Sequence, residues 1–134
     1  MTDVVFADTF YYLARLSRHD AAHERAIELS RQITGRVVTT AWVLTEVADA
    51  LNAPHQRGLA SLLYETLQQD PRVTIVPPER VVYERGWALY RQRSDKTWSL
   101  TDCISFVVMN ELSLREALTG DHHFEQAGFA ALLK

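Results

Sequence analysis

Cysteine is almost absent: Cys103 is the only one in 134 residues. That excludes an internal disulfide and any cysteine-cluster zinc site, and it suits a reducing compartment. Lysine is nearly as scarce, because Lys96 and Lys134 are the only two among fourteen basic residues. Arginine is the better fork for phosphate, but coding bias yields the same excess, so the arginine count alone assigns no function. No apolar run approaches the ~20 residues of a membrane helix. The opening MTDVVFADTF carries acids and no basic cluster, unlike a secretory leader. A cytoplasmic chain without membrane contact is the expectation. The formal charge of −3 lacks the basic excess of a general nucleic-acid binder. Any such contact would need a local patch.

What is present is the material of one soluble domain. Hydrophobic residues make up 47% and charged residues 23%, and the length supports one core rather than two. A single domain over residues 1–134 is expected. Short apolar runs alternate with longer amphipathic stretches, without repeats or linkers. VVFA (4–7), RVVT (36–39), VTIV (73–76) and EALT (116–119) read as strands, and Phe129 to Leu133 as a short edge strand. Helices are expected over 9–17, 20–34, 41–52, 55–69, 78–93 and 99–112, with Thr40 as an N-cap and Gly35 as a C-cap. This alternation predicts a three-layer α/β/α sandwich around a mainly parallel sheet of about five strands. Ligands of such sheets gather at the carboxyl ends of the strands.

That rule singles out Asp8, which follows VVFA, and Asp121, which follows ALTG. Asp8 also reads as the N-cap of the helix TFYYLARL. Glu46 lies at the margin of the apolar arc of WVLTEVADALN, where either an ion-paired boundary residue or a ligand fits; Asp49 points further toward solvent. Asp102 heads an apolar stripe with Phe106 and Met109, yet 99-SLTD-102 is also a capping box with Ser99 as N-cap. Each acid therefore has a structural reading of its own. Together, four carboxylates in one cleft would repel one another and require a cation among them. Oxygen donors favour hard ions, Mg²⁺ or Mn²⁺. A carboxylate-held cation without a nucleophile suits hydrolysis of phosphodiesters by activated water.

Four segments carry a resemblance: VVFADTF, TEVADAL, SLTDCISFVVM and ALTGDHHFEQAGF, in this order over most of the chain. The chain resembles the PIN domain family, in particular the small bacterial toxins of VapC type. The resemblance implies a parallel α/β/α fold and a Mg²⁺- or Mn²⁺-dependent endoribonuclease. It makes Asp8, Glu46, Asp102 and Asp121 the catalytic and metal-binding acids, with Thr9 and Ser99 as auxiliaries. It also implies an RNA substrate, a small antitoxin partner and a homodimer. The alternatives are a non-catalytic PIN-like module that binds RNA or protein, and a solitary nuclease without antitoxin. A receiver-like phosphoacceptor fits less well, because D-T-F follows the first strand where paired acids or D-x-D would be required.

One departure concerns the fourth acid. Many relatives carry a further acid shortly after it, whereas Asp121 is followed by His122 and His123. Asp95 is close in sequence to the third acid as an auxiliary candidate, with a solvated loop residue as the preferred account. Adjacent helical side chains diverge by ~100°, so the two histidines are not expected to share an ion. His122, Arg91 and Arg93 are candidate contacts to RNA or partner. Trp42, Trp98 and Tyr64 are interface candidates, with core packing as the competing account of Trp42 and Tyr64.

Overall fold

In the computed structural model, which describes residues 1–134, the first apolar run forms strand β1 (Val4–Ala7) at the centre of a five-stranded sheet. Strands β2 (Arg36–Thr40), β3 (Val73–Val76), β4 (Glu116–Leu118) and β5 (Ala130–Ala131) complete it. The order is β3-β2-β1-β4-β5, and every pairing is parallel. Successive residues of a strand face opposite sides, yet Val5, Phe6 and Ala7 are all buried, as are Val37 to Thr40. Both faces of the sheet are therefore covered, which is why these strands read as continuous apolar runs.

Seven helices supply that cover: α1 (Thr9–Leu16), α2 (His23–Gln32), α3 (Ala41–Ala50), α4 (Arg57–Gln69), α5 (Arg80–Gln92), α6 (Leu100–Glu111) and α7 (His122–Gln126). No helix is long and apolar enough to cross a membrane. Thr40 caps α3 as expected, its hydroxyl accepting from Val43 N at 3.1 Å. Helix α2 starts three residues later than Asp20, because the Asp20 carboxylate accepts from Ala22 N and closes a turn first. Gly35 is not a helix cap. It lies where Arg36 N bonds Asp3 O, and a Cβ there would sit 1.9 Å from that carbonyl oxygen. The sequence does not delimit helix α7, although the histidine pair reads as adjacent helical residues. Asp121 caps it through His123 N at 2.9 Å, and Gly128 (φ 96°) supplies the left-handed turn that ends it.

Five residues are too few for a helix to persist by itself. Helix α7 is held instead by an aromatic cluster beneath it. Phe124 meets Phe106 edge-on at 4.9 Å, Phe106 meets Trp98 at 5.0 Å, and Trp98 Nε1 donates to Gln126 Oε1 at 2.9 Å. Trp98 is thus a core residue rather than an interface residue. Tyr64, for which core packing was expected, is instead exposed on α4, and Trp42 stacks on Tyr83 at 6.0 Å.

Helices α5 and α6 approach most closely at Gly86, where an added Cβ would stand 2.3 Å from Cγ1 of the fully buried Ile104. Gly58, on α4, has nothing within 4 Å of the same position. One substitution should therefore act with opposite sign at the two sites. Gly86→Ala should lower the unfolding free energy by about 1–2 kcal/mol through overpacking, while Gly58→Ala should raise it by about 0.5 kcal/mol through helix propensity. Urea unfolding midpoints of the two variants check the pair.

Candidate active site

The order of the strands creates the cleft. From β1 the chain moves outward to β2 and β3, then returns across to β4 on the other side of β1. The carboxyl ends of β1 and β4 therefore flank the switch point, where the following segments leave in different directions. The register pairs Ala7 with Leu118, and Asp8 N extends the ladder to Leu118 O at 3.3 Å. Asp8 and Thr119 are consequently neighbours. Asp121 follows two residues later.

Asp8 occupies the N-cap position of α1, but its carboxylate makes no capping bond. Its Oδ2 accepts from the Thr119 hydroxyl at 2.9 Å. The same hydroxyl accepts from Asp121 N at 3.1 Å, so one buried side chain ties the first acid to the fourth. Gly120 lies between them, against the far edge of the Phe10 ring, which stands 2.6 Å from where a Cβ would be. Thr9 donates to Glu46 Oε1 at 2.6 Å, which fixes the half-buried glutamate of α3 beside β1. Asp102 keeps its capping box, with Ser99 Oγ accepting from Asp102 N at 3.0 Å and Ser99 N donating to Asp102 Oδ2 at 3.1 Å. The two readings of Asp102 coexist, because capping uses one oxygen and orients the other.

The four acids form one electrostatic unit. Asp8 is only 5% exposed; burial pushes its pKa from 3.8 up to about 7, the Thr119 bond counteracts this, and the negative charges of Asp102 and Glu46 raise it further. Asp102 is also raised, first by burial and further by Asp121, against the lowering influence of Ser99 and His123. No lysine or arginine forms an ion pair with any of the four. Carboxylates that raise one another without a lysine or arginine counter-charge are donors of the type a hard divalent cation takes, so the chemistry of the residues present suits such an ion.

Two contacts were not legible in the sequence. Thr119 is one. The other is His123, whose Nδ1 lies 3.0 Å from Asp102 Oδ2 and 3.4 Å from Asp121 Oδ1, while Nε2 meets Thr97 Oγ1 at 3.2 Å. His122, rather than His123, was the candidate contact residue; it is mainly exposed, 3.6 Å from Asp121. Asp95 is turned to Arg93 in a two-pronged pair at 3.0 and 3.1 Å and joins none of the acids. Arg91 and Arg93 lie over the rings of Trp87 and Trp98. With Tyr90, Lys96, Thr97 and Ser99 they line a depression of about 530 Å³ beside the N-terminus of α6. Another groove, about 1180 Å³, lies away from these acids, between α3 and α4.

Comparison with known proteins bears on the fold and the family. A family model described as PIN domain matches residues 5–130. The 23S rRNA-specific endonuclease VapC20 of Mycobacterium tuberculosis is 28% identical over 131 residues, spanning 94% of this chain and 95% of the relative. The crystal structure of VapC20, described as a sarcin-ricin loop cleaving toxin, is similar at a TM-score of 0.85 and 25% identity, covering 94% of this chain and 96% of the other. FitAcB from Neisseria gonorrhoeae (TM-score 0.65, 18% identity, 95% and 94% covered) shares the fold. So does VapBC2 from Rickettsia felis, bound to a promoter DNA fragment (0.64, 11%, 96% of each). Since the family model runs from β1 into the last strand, with the sheet order and the crowded acids between, this chain belongs to the PIN domain family as a homologue of the VapC-type endonucleases.

Proposed function

We propose that this protein is a divalent-cation-dependent endoribonuclease and the toxin of a toxin–antitoxin pair. The observation that carries the reading is the buried Asp8 carboxylate, which faces Asp102 and Glu46 without any basic partner. Asp8, Glu46 and Asp102 would hold Mg²⁺ or Mn²⁺, with Asp121 at the rim. The bound ion supplies a water of lowered pKa and stabilises charge on the phosphodiester. The chain's own residues set the geometry. Thr119 and Thr9 hold Asp8 and Glu46 in place, and the Ser99 box holds Asp102.

RNA approaching an acidic cleft needs positive charge at its border. The depression lined by Arg91, Arg93 and Lys96 adjoins Asp102 through Ser99 and offers the Trp87 and Tyr90 rings for stacking bases. Because the relative VapC20 acts on 23S rRNA, ribosomal RNA is the first substrate to test. The family further suggests a cytoplasmic homodimer and a small antitoxin, for which a short adjacent reading frame is the sign.

Asp8→Asn and Asp102→Asn should each reduce Mg²⁺-dependent cleavage of ribosomal RNA by at least about 100-fold. Far-UV circular dichroism of the variants should be unchanged. Mapping of cleavage ends with and without EDTA checks this; undiminished cutting by either variant, or by the wild type in EDTA, sinks the reading.

The raised pKa of Asp8 predicts a pH dependence for the cation-free protein. Its folded value of about 7 exceeds the unfolded 3.8, so the native state binds more protons between these limits. The stabilisation is complete below about pH 4 and is lost as pH rises through about 7. Thermal melts of wild type minus Asp8→Asn should show this decline. Added Mn²⁺ should raise the wild-type melting temperature more at pH 8 than at pH 6, where it must displace a proton.

A further inference from the structure

Two side chains remain without a role in the nuclease reading, His122 and His123. Their Nδ1 atoms do not diverge. They lie 3.6 and 3.4 Å from the same oxygen, Asp121 Oδ1, and the ring centroids are 4.5 Å apart. One donor atom from each of the three residues falls within 4.8 Å of the others. We propose that Asp121, His122 and His123 form a second cation site of mixed oxygen and nitrogen donors, adjoining the carboxylate site at Asp102, which takes a first-row transition-metal dication in preference to Mg²⁺. The inference rests on the nuclease reading for the first ion, which Asp102 would face from the other side.

Four observations support it. Ligands at about 2.1 Å from one ion are separated from each other by about 3.0–3.4 Å in octahedral or tetrahedral arrangement. The distances from His123 Nδ1 to Asp102 Oδ2 and Asp121 Oδ1, 3.0 and 3.4 Å, span that interval, and His122 lies just beyond it. Second, His123 Nε2 is engaged by Thr97 Oγ1 at 3.2 Å. When Nδ1 binds an ion, this neighbour can accept the Nε2–H and orient the ring, the outer contact that ligating imidazoles use. Third, a plain hydrogen bond accounts for His123 beside Asp102 but not for His122. That side chain is 61% exposed and free to extend into water, yet it turns back toward Asp121. Fourth, the four carboxylates carry more negative charge than one dication neutralises. Imidazole nitrogen favours transition-metal ions, whereas Mg²⁺ prefers oxygen and retains its waters.

Mn²⁺ is the probe, with the full-length protein at neutral pH. Titration followed by electron paramagnetic resonance should count two bound ions in the wild type, and pulsed measurements should detect ¹⁴N coupling to one of them. His122→Gln and the double variant His122→Gln/His123→Gln should weaken one of the two ions by at least about tenfold, the loss that removal of even an outer partner produces. The double variant should abolish the nitrogen coupling. Because His122 is exposed, its single variant tests the site without risk to the core. Asp8→Asn should lose the other ion and keep the nitrogen-coupled one. Absence of ¹⁴N coupling in the wild type, or its persistence in the double variant, overturns the assignment. If RNA cleavage then still requires a cation and Asp8, the nuclease reading stands and only the histidine site falls. If cleavage is independent of both while nitrogen coupling is present, the nuclease reading falls alone.

Discussion

The crowding of like charge at the carboxyl edge of the sheet is the constraint around which the molecule is built. Asp8 is nearly inaccessible to water, Asp102 is largely buried, and no lysine or arginine pairs with either. Such a grouping opposes folding whenever the acids are ionised. It persists because the surrounding contacts leave the carboxylates little freedom to separate. Aromatic packing under α7, the tight α5–α6 contact at Gly86 and the Thr119 hydroxyl each hold one acid-bearing segment against the others. The stability of the rest of the fold is what permits a locally unfavourable site.

The parallel topology makes this possible with few residues. Because β1 lies between β2 and β4, the turn after it opens on both neighbours at once. Asp8 reaches Thr119 across the β1–β4 pair, Thr9 reaches Glu46 on α3, and Asp121 begins the helix that brings His123 to Asp102. The result is a chain of hydrogen bonds and ion contacts from Asp8 to Ser99, with Glu46 tied in through Thr9, the residue next to Asp8. Removing the Thr119 or Thr9 hydroxyl would release an acid rather than merely weaken a contact. A buried acceptor left without its donor is costly.

Much of this was legible in the sequence, and for identifiable reasons. Strand β1 read correctly because burial on both faces writes an unbroken apolar run, VVFA, whereas β3, an edge strand with Thr74 exposed, read from its β-branched residues. The Thr40 cap and the Ser99–Asp102 box are local patterns that the structure reproduces. The acids at strand ends follow from topology alone. Long-range partners were not legible. Nothing in ALTG distinguishes Thr119 from an ordinary strand threonine until β1 and β4 are known to be neighbours in this register. Trp98 and Tyr64 exchanged their expected places because helical periodicity defines a face without saying what covers it. The bounds of helix α7 were not legible because its five residues owe their conformation to Phe124, buried among aromatics from other segments.

The histidine pair shows the same limit at atomic scale. The ~100° divergence between adjacent helical residues describes directions seen down the helix axis. At the first turn it is a poor guide, because side chains lean toward the N-terminus and the capping carboxylate lies over the end of the axis. An N-cap aspartate followed by two histidines therefore brings both rings to one oxygen, although neither faces the other along the helix. Where the resemblance leads one to expect a further acid, this chain places an imidazole two residues after Asp121. It stands within 3.0 Å of the third acid. That exchange replaces a carboxylate with an imidazole in a cleft already crowded with negative charge, without moving the backbone that presents it; on the reading proposed above, it turns the donor set toward transition-metal ions.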